Sequence, residues 1–208
     1  TTKDRLEMPL GEALFSMRAI RRLKEEPIPE QDLRDVLLAA TQAPSGGNSQ
    51  PWHFLLVRDD EQRAALAALY REAWWAKRRD AGIHGPEDIP DTDRVARSAM
   101  RLADDFGAAP AVVLVCASVR NVGAMTSVIP ATQNLLLAAR ALGIGGTITT
   151  LHADVDERVH ELFGIPEAVQ VVYCVPLGYP KGSFGALNRK PLGEVVSLDR
   201  WGSSPDWG

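Results

Sequence analysis

One stretch of this sequence, from Val128 to Leu142, is apolar on nearly every face that a helix would present. It contains Ile129, a run of leucines and several alanines, and shows no continuous polar side. A helix that is apolar all round has to be buried, because apolar surface exposed to water costs free energy. We therefore expect residues 128–142 to form a helix buried in the core or at a subunit interface.

The composition agrees with a soluble enzyme of one domain, without identifying one. The chain has 208 residues, of which 45% are hydrophobic and 24% charged, and such a chain buries roughly 70% of its unfolded surface. Its formal charge of −4 gives no general attraction to nucleic acid or anionic membranes. Unbroken apolar runs such as 108–117 are far shorter than the ~20 residues of a membrane helix. With no stretch like a secretory leader, we expect a cytoplasmic protein without nucleic acid or membrane partners.

The sequence predicts neither a disulfide nor a metal site. Cys116 and Cys174 each lie inside an apolar run, which favours buried, reduced thiols. His152 and His160 flank a group of acidic residues, so a metal site is an alternative there. We favour a helix that starts after a cap at Asp154, and therefore predict no metal.

The order of hydrophobic patterns predicts an α+β fold. Helical periodicity is clear in 29–43, where apolar side chains recur at Leu33, Val36 and Ala40. Residues 81–93 are rich in glycine, proline and aspartate, which predicts a loop long enough to close over a site. The predicted helices are 10–17, 29–43, 60–79, 94–106, 128–142 and 155–163, and the predicted strands are 54–57, 111–117 and 169–176.

A polar loop with two glycines lies between a predicted helix and the first predicted strand. Residues 44–52 read Pro-Ser-Gly-Gly-Asn-Ser-Gln-Pro-Trp. Pro44 ends the helix, and the glycines let the backbone approach a ligand closely. Ser45, Asn48 and Gln50 add donors and acceptors that suit a heteroaromatic ring such as a flavin. The alternative is an ordinary helix-to-strand loop, since the same residue types are common in turns.

The glycines at 143, 145 and 146 form a partial dinucleotide-binding fingerprint. The third glycine is missing, because Ile148 stands in its place. The run also follows a helix, whereas the fingerprint follows a strand and opens a helix. We therefore interpret Gly143 as the residue that ends a helix.

Four stretches of the sequence are similar to motifs of the nitroreductase family of FMN-dependent oxidoreductases, and they occur in the same order as in that family. The likeness extends over roughly residues 14–201, with a gap between about 70 and 98. It implies an α+β fold with a central, mostly antiparallel sheet flanked by helices, in an intertwined homodimer that binds FMN between its subunits. The similar stretches are 17–23 with 27–29, 43–54, 142–150, and 177–180 with 188–192.

The resemblance implies roles for the basic residues near the two ends. Arg18 and Arg189 are expected to bind the FMN phosphate, with Ala19 beside it, because a planar guanidinium meets two phosphate oxygens at once. Arg21 is expected at the ribityl chain or the pyrimidine edge, where positive charge stabilises reduced flavin. Met17 and Ala19 stand where the family often has arginine and serine, so phosphate binding depends more on Arg18 and Arg189. The alternative is that the basic run is a solvated charged face.

Two further segments are implied to contact the flavin. Ile148, Thr149 and Thr150 match a loop that reaches N5 and O4 of the ring in relatives, and the Thr150 hydroxyl is expected to tune N5. A threonine here resembles the ene-reductase, deiodinase-like and flavin-fragmenting branches more than the bacterial nitroreductases. The residues expected to contact the flavin held mainly by the other subunit are Pro44, Ser45, Gly46 and Asn48.

The resemblance implies a ping-pong reaction with NADH or NADPH as electron donor. Hydride would pass to FMN, and reduced FMN would pass electrons to a nitro-aromatic, quinone, enone or related acceptor. The alternatives are a substrate-specific reductive dehalogenase, a flavin-fragmenting enzyme, and a flavin-binding protein without catalysis. A substrate lid is expected within about 70–98, where Tyr70, Trp74, Trp75 and loop 81–93 would stack a planar substrate. The alternative is that one tryptophan is core and the other covers a surface helix.

Overall fold

A four-stranded antiparallel sheet forms the centre of the protein in a computed structural model that describes residues 1–206. The last two residues of the predicted 1–208 domain lie outside the described part. The strands are β1 (Trp52–Val57), β2 (Ala111–Ala117), β3 (Gly145–Gly146) and β4 (Gln170–Gly178), in the spatial order β1-β2-β4-β3. The α-helices of residues 1–206 are α1 (Thr2–Arg5), α2 (Leu10–Ser16), α3 (Glu30–Ala40), α4 (Asp60–Asp80), α5 (Arg94–Asp104), α6 (Val122–Ala141) and α7 (Asp156–Phe163).

The α+β class with a mostly antiparallel sheet is confirmed. Every predicted helix and strand is present, strand 111–117 with the predicted bounds and the others with shifted ends. α6 begins at Val122 instead of residue 128, because the Asn121 side chain accepts a hydrogen bond from the Ala124 N–H at 2.8 Å. The expected cap at Asp154 is wrong, since Val155 holds the N-cap position of α7 without a side-chain hydrogen bond. α1 and β3 were not predicted, because four and two residues are too few to show a hydrophobic period.

β2 is buried on both faces and separates two hydrophobic clusters. Val112, Leu114 and Cys116 pack with residues of α4 and α5, whereas Val113 and Val115 pack with residues of α3 and α6. This division follows the alternation of side chains along a strand. Helices therefore cover both faces of the sheet.

α6 is buried on one side and exposed on the other. Val128, Leu135 and Ala139 are fully buried with residues of α3 and the sheet, whereas Val122 is 75% and Ile129 is 45% exposed. Contacts within the chain therefore bury only part of the helix that the sequence predicts to be buried. By length and composition alone, α6 is apolar enough to cross a membrane, but half of the apolar stretch is buried inside the protein. The unbroken apolar runs in the sequence are shorter and did not predict this.

The cysteines are buried and free, as the sequence predicted. Cys116 lies on β2 and Cys174 on the neighbouring strand β4. Burial raises the pKa of both thiols, that of Cys116 to about 12. Both therefore stay neutral and pack as small apolar side chains.

Candidate functional site

Residues 17–24, which we call the opening stretch, run beside β3 and beside the residues that follow β4. The Ile20 N–H donates to the Gly146 carbonyl at 2.9 Å, and the Lys24 N–H donates to the Tyr179 carbonyl at 2.8 Å. The Lys181 N–H donates in turn to the Arg22 carbonyl at 2.9 Å. Three of the four similar stretches therefore meet at one edge of the sheet.

The adjacent glycines of β3 permit this close approach. A Cβ on Gly145 would lie 2.8 Å from Cβ of Ile20, and a Cβ on Gly146 would lie 2.8 Å from the Leu177 side chain. Gly143 has a φ of +75° and follows the last residues of α6, so it ends the helix as interpreted from the sequence. The glycines of this segment are explained by packing and helix termination, without a dinucleotide.

A cavity of about 240 Å³, the arginine cavity, opens along the opening stretch. None of its lining residues is acidic, and three are arginines. Guanidinium groups and hydroxyls are the donors that proteins use to bind phosphate, so this lining fits the phosphate of FMN. The lining residues are Arg18, Ala19, Ile20, Arg21, Arg22, Ser98, Pro180, Gly182 and Ser183.

Arg18 is placed by the segment 177–192, which we call the closing segment. Its Nη1 donates to the Ala186 carbonyl at 3.4 Å, and a Cβ on Gly185 would lie 3.3 Å from the same nitrogen. Arg189 is exposed, donates to the Asn188 carbonyl at 2.9 Å, and is not among the residues that line the cavity. The two predicted phosphate ligands are therefore neighbours in the fold, but only Arg18 reaches the cavity wall.

Two serines of the cavity had no sequence signal. Ser98 lies on α5, in the stretch without family likeness, and Ser183 lies between the two similar parts of the closing segment. Serine is common on helices and in turns, so neither residue type nor spacing marks them. Only the packing of α5 against the opening stretch reveals them.

Thr149 and Thr150 are adjacent but lie in different environments. The Thr149 hydroxyl donates to the Cys174 carbonyl at 2.8 Å, and the two backbones exchange hydrogen bonds of 3.0 Å. Thr150 is exposed, and its hydroxyl has no hydrogen-bond partner within residues 1–206. Ile148, on the other side of the buried Thr149, is 41% exposed. The segment thus presents a free hydroxyl and an apolar side chain to a ligand.

α4 supports this segment from behind. Tyr70 is buried and stacks on Phe106 with ring centroids 4.3 Å apart. Burial raises the pKa of the Tyr70 hydroxyl to about 12, so it stays neutral. Trp74 is 4% exposed and belongs to the core, while Trp75 is half-buried with its Nε1 3.4 Å from Asp104. The alternative of one core and one surface tryptophan fits this arrangement.

The predicted histidine grouping is structural. His152 is 2% exposed, and its Nε2–H donates to the Val171 carbonyl of β4 at 3.0 Å. Burial lowers the pKa of His152, so the ring is neutral. His160 Nδ1 lies 3.1 Å from the Ile165 carbonyl. In the part of the chain that the structure describes, no three His, Cys, Asp or Glu side chains are grouped as a metal site.

Residues 44–50, the polar loop, carry positive φ angles at residues other than glycine. Asn48 has a φ of 53° and Gln50 a φ of 48°, and Gly47 between the predicted ligands has a φ of 58°. Such conformations cost of order 1 kcal/mol each when the residue is not glycine and are common at functional sites. The Gly46 N–H donates to the Ser127 hydroxyl of α6 at 3.3 Å, which ties the loop to the start of that helix.

The polar loop and the arginine cavity lie at opposite ends of α6. Ser127 contacts the loop, whereas Arg140 contacts Ser16, next to the opening stretch. These two positions are 13 residues apart, since 140 minus 127 is 13, which corresponds to roughly 20 Å along a helix. The backbone of the opening stretch, which carries Arg18 and Arg21, is therefore paired with β3, the strand that precedes residues 147–150. The polar loop, through Gly46, contacts the other end of α6.

Comparisons with known proteins show the family and the fold. The Nitroreductase family model matches residues 15–179. An NADH dehydrogenase of Thermus thermophilus is 32% identical over 196 residues, which are 88% of this chain and 93% of that protein. A solved iodotyrosine deiodinase bound to FMN and 3-iodo-L-tyrosine has a TM-score of 0.71 at 23% identity, covering 98% of this chain and 100% of that one.

A second solved structure has the same fold with a different ligand. NADPH:FMN oxidoreductase from Vibrio harveyi, complexed with NAD⁺, has a TM-score of 0.69 at 20% identity, covering 93% of this chain and 78% of that one. At such identities the two structures show a shared fold. The family model spans most of the sequence, and the Thermus relative exceeds 30% identity over nearly its whole length, so this chain belongs to the nitroreductase family.

Proposed function

We propose that this protein is an FMN-dependent oxidoreductase that uses NADH or NADPH to reduce a nitro-aromatic, quinone, enone or related acceptor. The observation that carries the proposal is the arginine cavity, which has three arginines and no acidic side chain in its lining. It adjoins residues 147–150, where a free hydroxyl and an apolar side chain are exposed side by side. A phosphate binds to a lining of arginines, and a flat heteroaromatic ring binds to an apolar surface with a nearby hydrogen-bond donor.

The phosphate end of FMN is assigned to Arg18, with Arg189 approaching from the closing segment. Arg21 is half-buried and lies near the Tyr70 hydroxyl, which supports a position deeper in the site, at the ribityl chain or pyrimidine edge. A cation at that edge offsets the negative charge of reduced flavin. Ala19 leaves space beside the phosphate because its side chain is small.

The ring end of FMN is assigned to residues 148–150. Bound FMN supplies the chemistry, since it accepts hydride and passes electrons onward. Ile148 offers an apolar surface to the ring, and the Thr150 hydroxyl is free to donate to a ring acceptor near N5. Thr149 holds the segment on β4 through its bonds to Cys174, so the donor is held in place before the ligand arrives.

A homodimer is part of the proposal, because the two halves of the site are separated within one chain. Pro44, Ser45, Gly46 and Asn48 belong to a loop anchored roughly 20 Å along α6 from the arginine-cavity end, so in this arrangement they contact the FMN held mainly by a partner subunit. An open, largely apolar groove of about 840 Å³ runs between α2, α3 and α6. A two-fold pairing of these helices would cover the groove. Its apolar lining includes Leu6, Leu10, Leu38 and Leu137.

The C-terminal part of the chain also supports a partner. Several apolar side chains there are exposed, and the Trp201 side chain is fully exposed. Single exposed apolar residues are normal, but several in one extended segment indicate a binding surface. The exposed side chains of this segment are Leu192, Val195, Leu198 and Trp201. Buried free thiols on β2 and β4 fit a reducing, cytoplasmic location.

A second candidate function is reductive dehalogenation. The free Thr150 hydroxyl favours it, because a side-chain donor at N5 changes how readily flavin gives up one or two electrons. A solved deiodinase shares the fold over nearly the whole chain. Loop 81–93 remains the proposed substrate lid, with Trp75 as the half-buried aromatic beside it.

The test is an anaerobic titration of the FMN-loaded protein with NADH and with NADPH, followed by absorption. We expect the oxidised flavin bands to bleach with at least one donor and to return when a nitro-aromatic or quinone is added. Bound FMN that neither donor bleaches would contradict the reductase and favour a dedicated reductant or a binding role. A protein that binds no FMN after reconstitution would contradict the whole proposal.

A further inference from the structure

Arg140, near the end of α6, contacts both segments that flank the arginine cavity. Its Nε donates to the Ser16 hydroxyl at 2.8 Å, and its guanidinium carbon lies 4.1 Å from the centre of the Phe184 ring. Arg140 Nη2 also lies 3.5 Å from a carboxylate oxygen of Glu12, which is the longest distance for a hydrogen bond. The side chain is only 13% exposed, so these contacts are made largely out of water.

The contact with Ser16 sets the position at which α2 ends. The Ser16 hydroxyl donates to the Glu12 carbonyl at 2.6 Å, which leaves its oxygen free to accept from Arg140. The Met17 N–H donates to the Ala13 carbonyl at 2.9 Å and is the last bond of the helix. Arg18 follows at once, so Arg140 fixes the point from which the Arg18 side chain starts.

The contact with Phe184 sets the position of the opposite wall. Ser183 lines the arginine cavity, and the Ala186 carbonyl accepts a hydrogen bond from Arg18 Nη1. Phe184 lies between these two residues in sequence, and the guanidinium carbon of Arg140 lies over its ring. A cation over an aromatic ring at this distance is attractive, more so when water is excluded. Arg140 therefore joins the two chain segments whose spacing defines the cavity.

We propose that Arg140 is a positioning residue for the phosphate end of FMN. It acts through Ser16 and Phe184, and it does not line the cavity itself. The inference rests on the proposed FMN site, because it assigns the arginine cavity to the phosphate. Arginine suits this role better than lysine, since one flat group donates along its edge while its face stacks on a ring.

The test compares FMN with riboflavin, which has the same ring and ribityl chain but no phosphate. Binding of both flavins is measured by fluorescence quenching for wild type, Arg140→Met and Arg140→Lys. For Arg140→Met we expect the Kd of FMN to rise about tenfold, which corresponds to about 1.4 kcal/mol, and the Kd of riboflavin to change less than about twofold. Arg140→Lys keeps the charge but not the fork, and we expect a rise in the Kd of FMN between wild type and Arg140→Met.

Arg120→Met is the matched control. Arg120 also makes side-chain contacts with two segments, through the Glu167 carbonyl and the Asp156 carboxylate, but it does not line the arginine cavity. We expect it to leave the ratio of the two Kd values unchanged. Phe184→Leu removes the ring without touching Arg140 and is expected to change that ratio in the same direction as Arg140→Met. It also keeps the test available if Arg140→Met fails to fold.

The possible results separate this inference from the proposed function. Equal weakening of FMN and riboflavin in Arg140→Met, or an unchanged FMN Kd, would overturn the positioning role while FMN binding by the wild type stands. An altered ratio in Arg120→Met would show a general effect of losing a surface arginine and would also overturn it. A wild type that binds neither flavin would contradict the proposed function itself.

Discussion

The two ends of α6 carry two parts of the proposed site that are built differently. At the arginine cavity, the opening stretch is bonded to Gly146, Tyr179 and Lys181 of its own chain, and Arg140 joins its walls. At the polar loop, the side chains of Asn48 and its neighbours are exposed, and two residues other than glycine have positive φ angles. The arginine cavity, the organised end, is held together by contacts within its own chain. The polar loop is strained and exposed, as expected of a surface that a ligand and a second subunit complete.

The largest effect is expected from Arg18→Ala at the organised end. A lost charge-assisted bond to phosphate costs about 1.5–3 kcal/mol, so we expect the Kd of FMN to rise about a hundredfold at the upper end of that range. Arg189→Ala is the comparison, and a smaller rise is expected because Arg189 lies outside the cavity lining. Equilibrium titration with FMN measures both. A Kd for Arg18→Ala within about twofold of wild type would show that this cavity does not bind the phosphate.

Substitutions at the two adjacent threonines compare a hydroxyl that stabilises the fold with one that is free to contact the flavin. Thr149→Val removes a buried hydroxyl that donates to Cys174, and we expect the free energy of unfolding to fall by about 1–2 kcal/mol. Thr150→Val removes an exposed hydroxyl, so we expect unchanged stability within about 0.5 kcal/mol but a shifted flavin reduction potential. Urea unfolding of the FMN-free proteins and a redox titration of the FMN-loaded proteins measure the two effects. Equal destabilisation by both substitutions would contradict the difference described between the two positions.

His152 makes the stability of the protein depend on pH. Burial lowers the pKa of His152 from its ordinary value of 6.5, so below pH 6.5 the unfolded chain binds a proton that the folded chain resists. The stabilising contribution of the neutral ring should therefore be complete above pH 6.5. Below pH 6.5 the free energy of unfolding should fall, by no more than about 1.4 kcal/mol per pH unit for one group. His152→Gln keeps a donor for the Val171 carbonyl but does not titrate.

Denaturant unfolding between pH 5 and 7 compares wild type with His152→Gln. The difference between the two slopes isolates His152 from the nearby Asp154, Asp156 and His160, which are present in both proteins. We expect a shallower slope for His152→Gln. Identical slopes would show that the ring does not resist protonation in the folded protein.

The smallest effect is expected at the polar loop. Asn48→Gly accepts the same positive φ, so we expect the stability of the FMN-free protein to stay within about 0.5 kcal/mol of wild type. The loss of one exposed hydrogen bond to the flavin should raise the Kd of FMN by about fivefold, or ~1 kcal/mol. Gln50→Gly is matched, since Gln50 has a similar φ and is not assigned to the flavin. A similar loss of FMN affinity in both variants would indicate an effect of the loop backbone and not of Asn48.

Much of the fold could be predicted because burial leaves a period in the sequence. The runs that became β2 and β4 are continuous because both are largely buried, and α3 shows its apolar face at Leu33, Val36 and Ala40. β3 could not be predicted, because two glycines carry no pattern and pair only through their backbone. For residues 128–142 the sequence left open a core or an interface position, and the exposed apolar side of α6, with Val122 and Ile129, keeps the interface position as a prediction.

The site was predictable only as far as its motifs extend. Arg18, Arg21 and Thr150 lie in stretches with family likeness, and the structure brings these stretches to one edge of the sheet. Ser98 and Arg140 carry no local signal, because their contribution depends on which helices pack beside the opening stretch. The sequence also does not show which of the two threonine hydroxyls is free, since that depends on the pairing of Thr149 with Cys174 of β4.

The central claim is that one FMN site takes its arginine cavity from one chain and its polar loop from another. Mixed dimers test it most directly. Two variants are prepared, Arg18→Ala with an intact loop and a loop variant, Ser45→Ala with Asn48→Ala, with an intact cavity. Each variant alone is titrated with FMN at a concentration where its own binding is weak, and the two are then unfolded together, refolded and titrated again.

In a two-fold dimer of one chain of each kind, one site receives both intact halves and the other receives both altered halves. Random pairing should therefore restore tight FMN binding at about a quarter of all sites. The same mixture without refolding is the control and should show no gain. No recovery after refolding, with each variant still folded and dimeric by light scattering, would contradict a site shared between subunits.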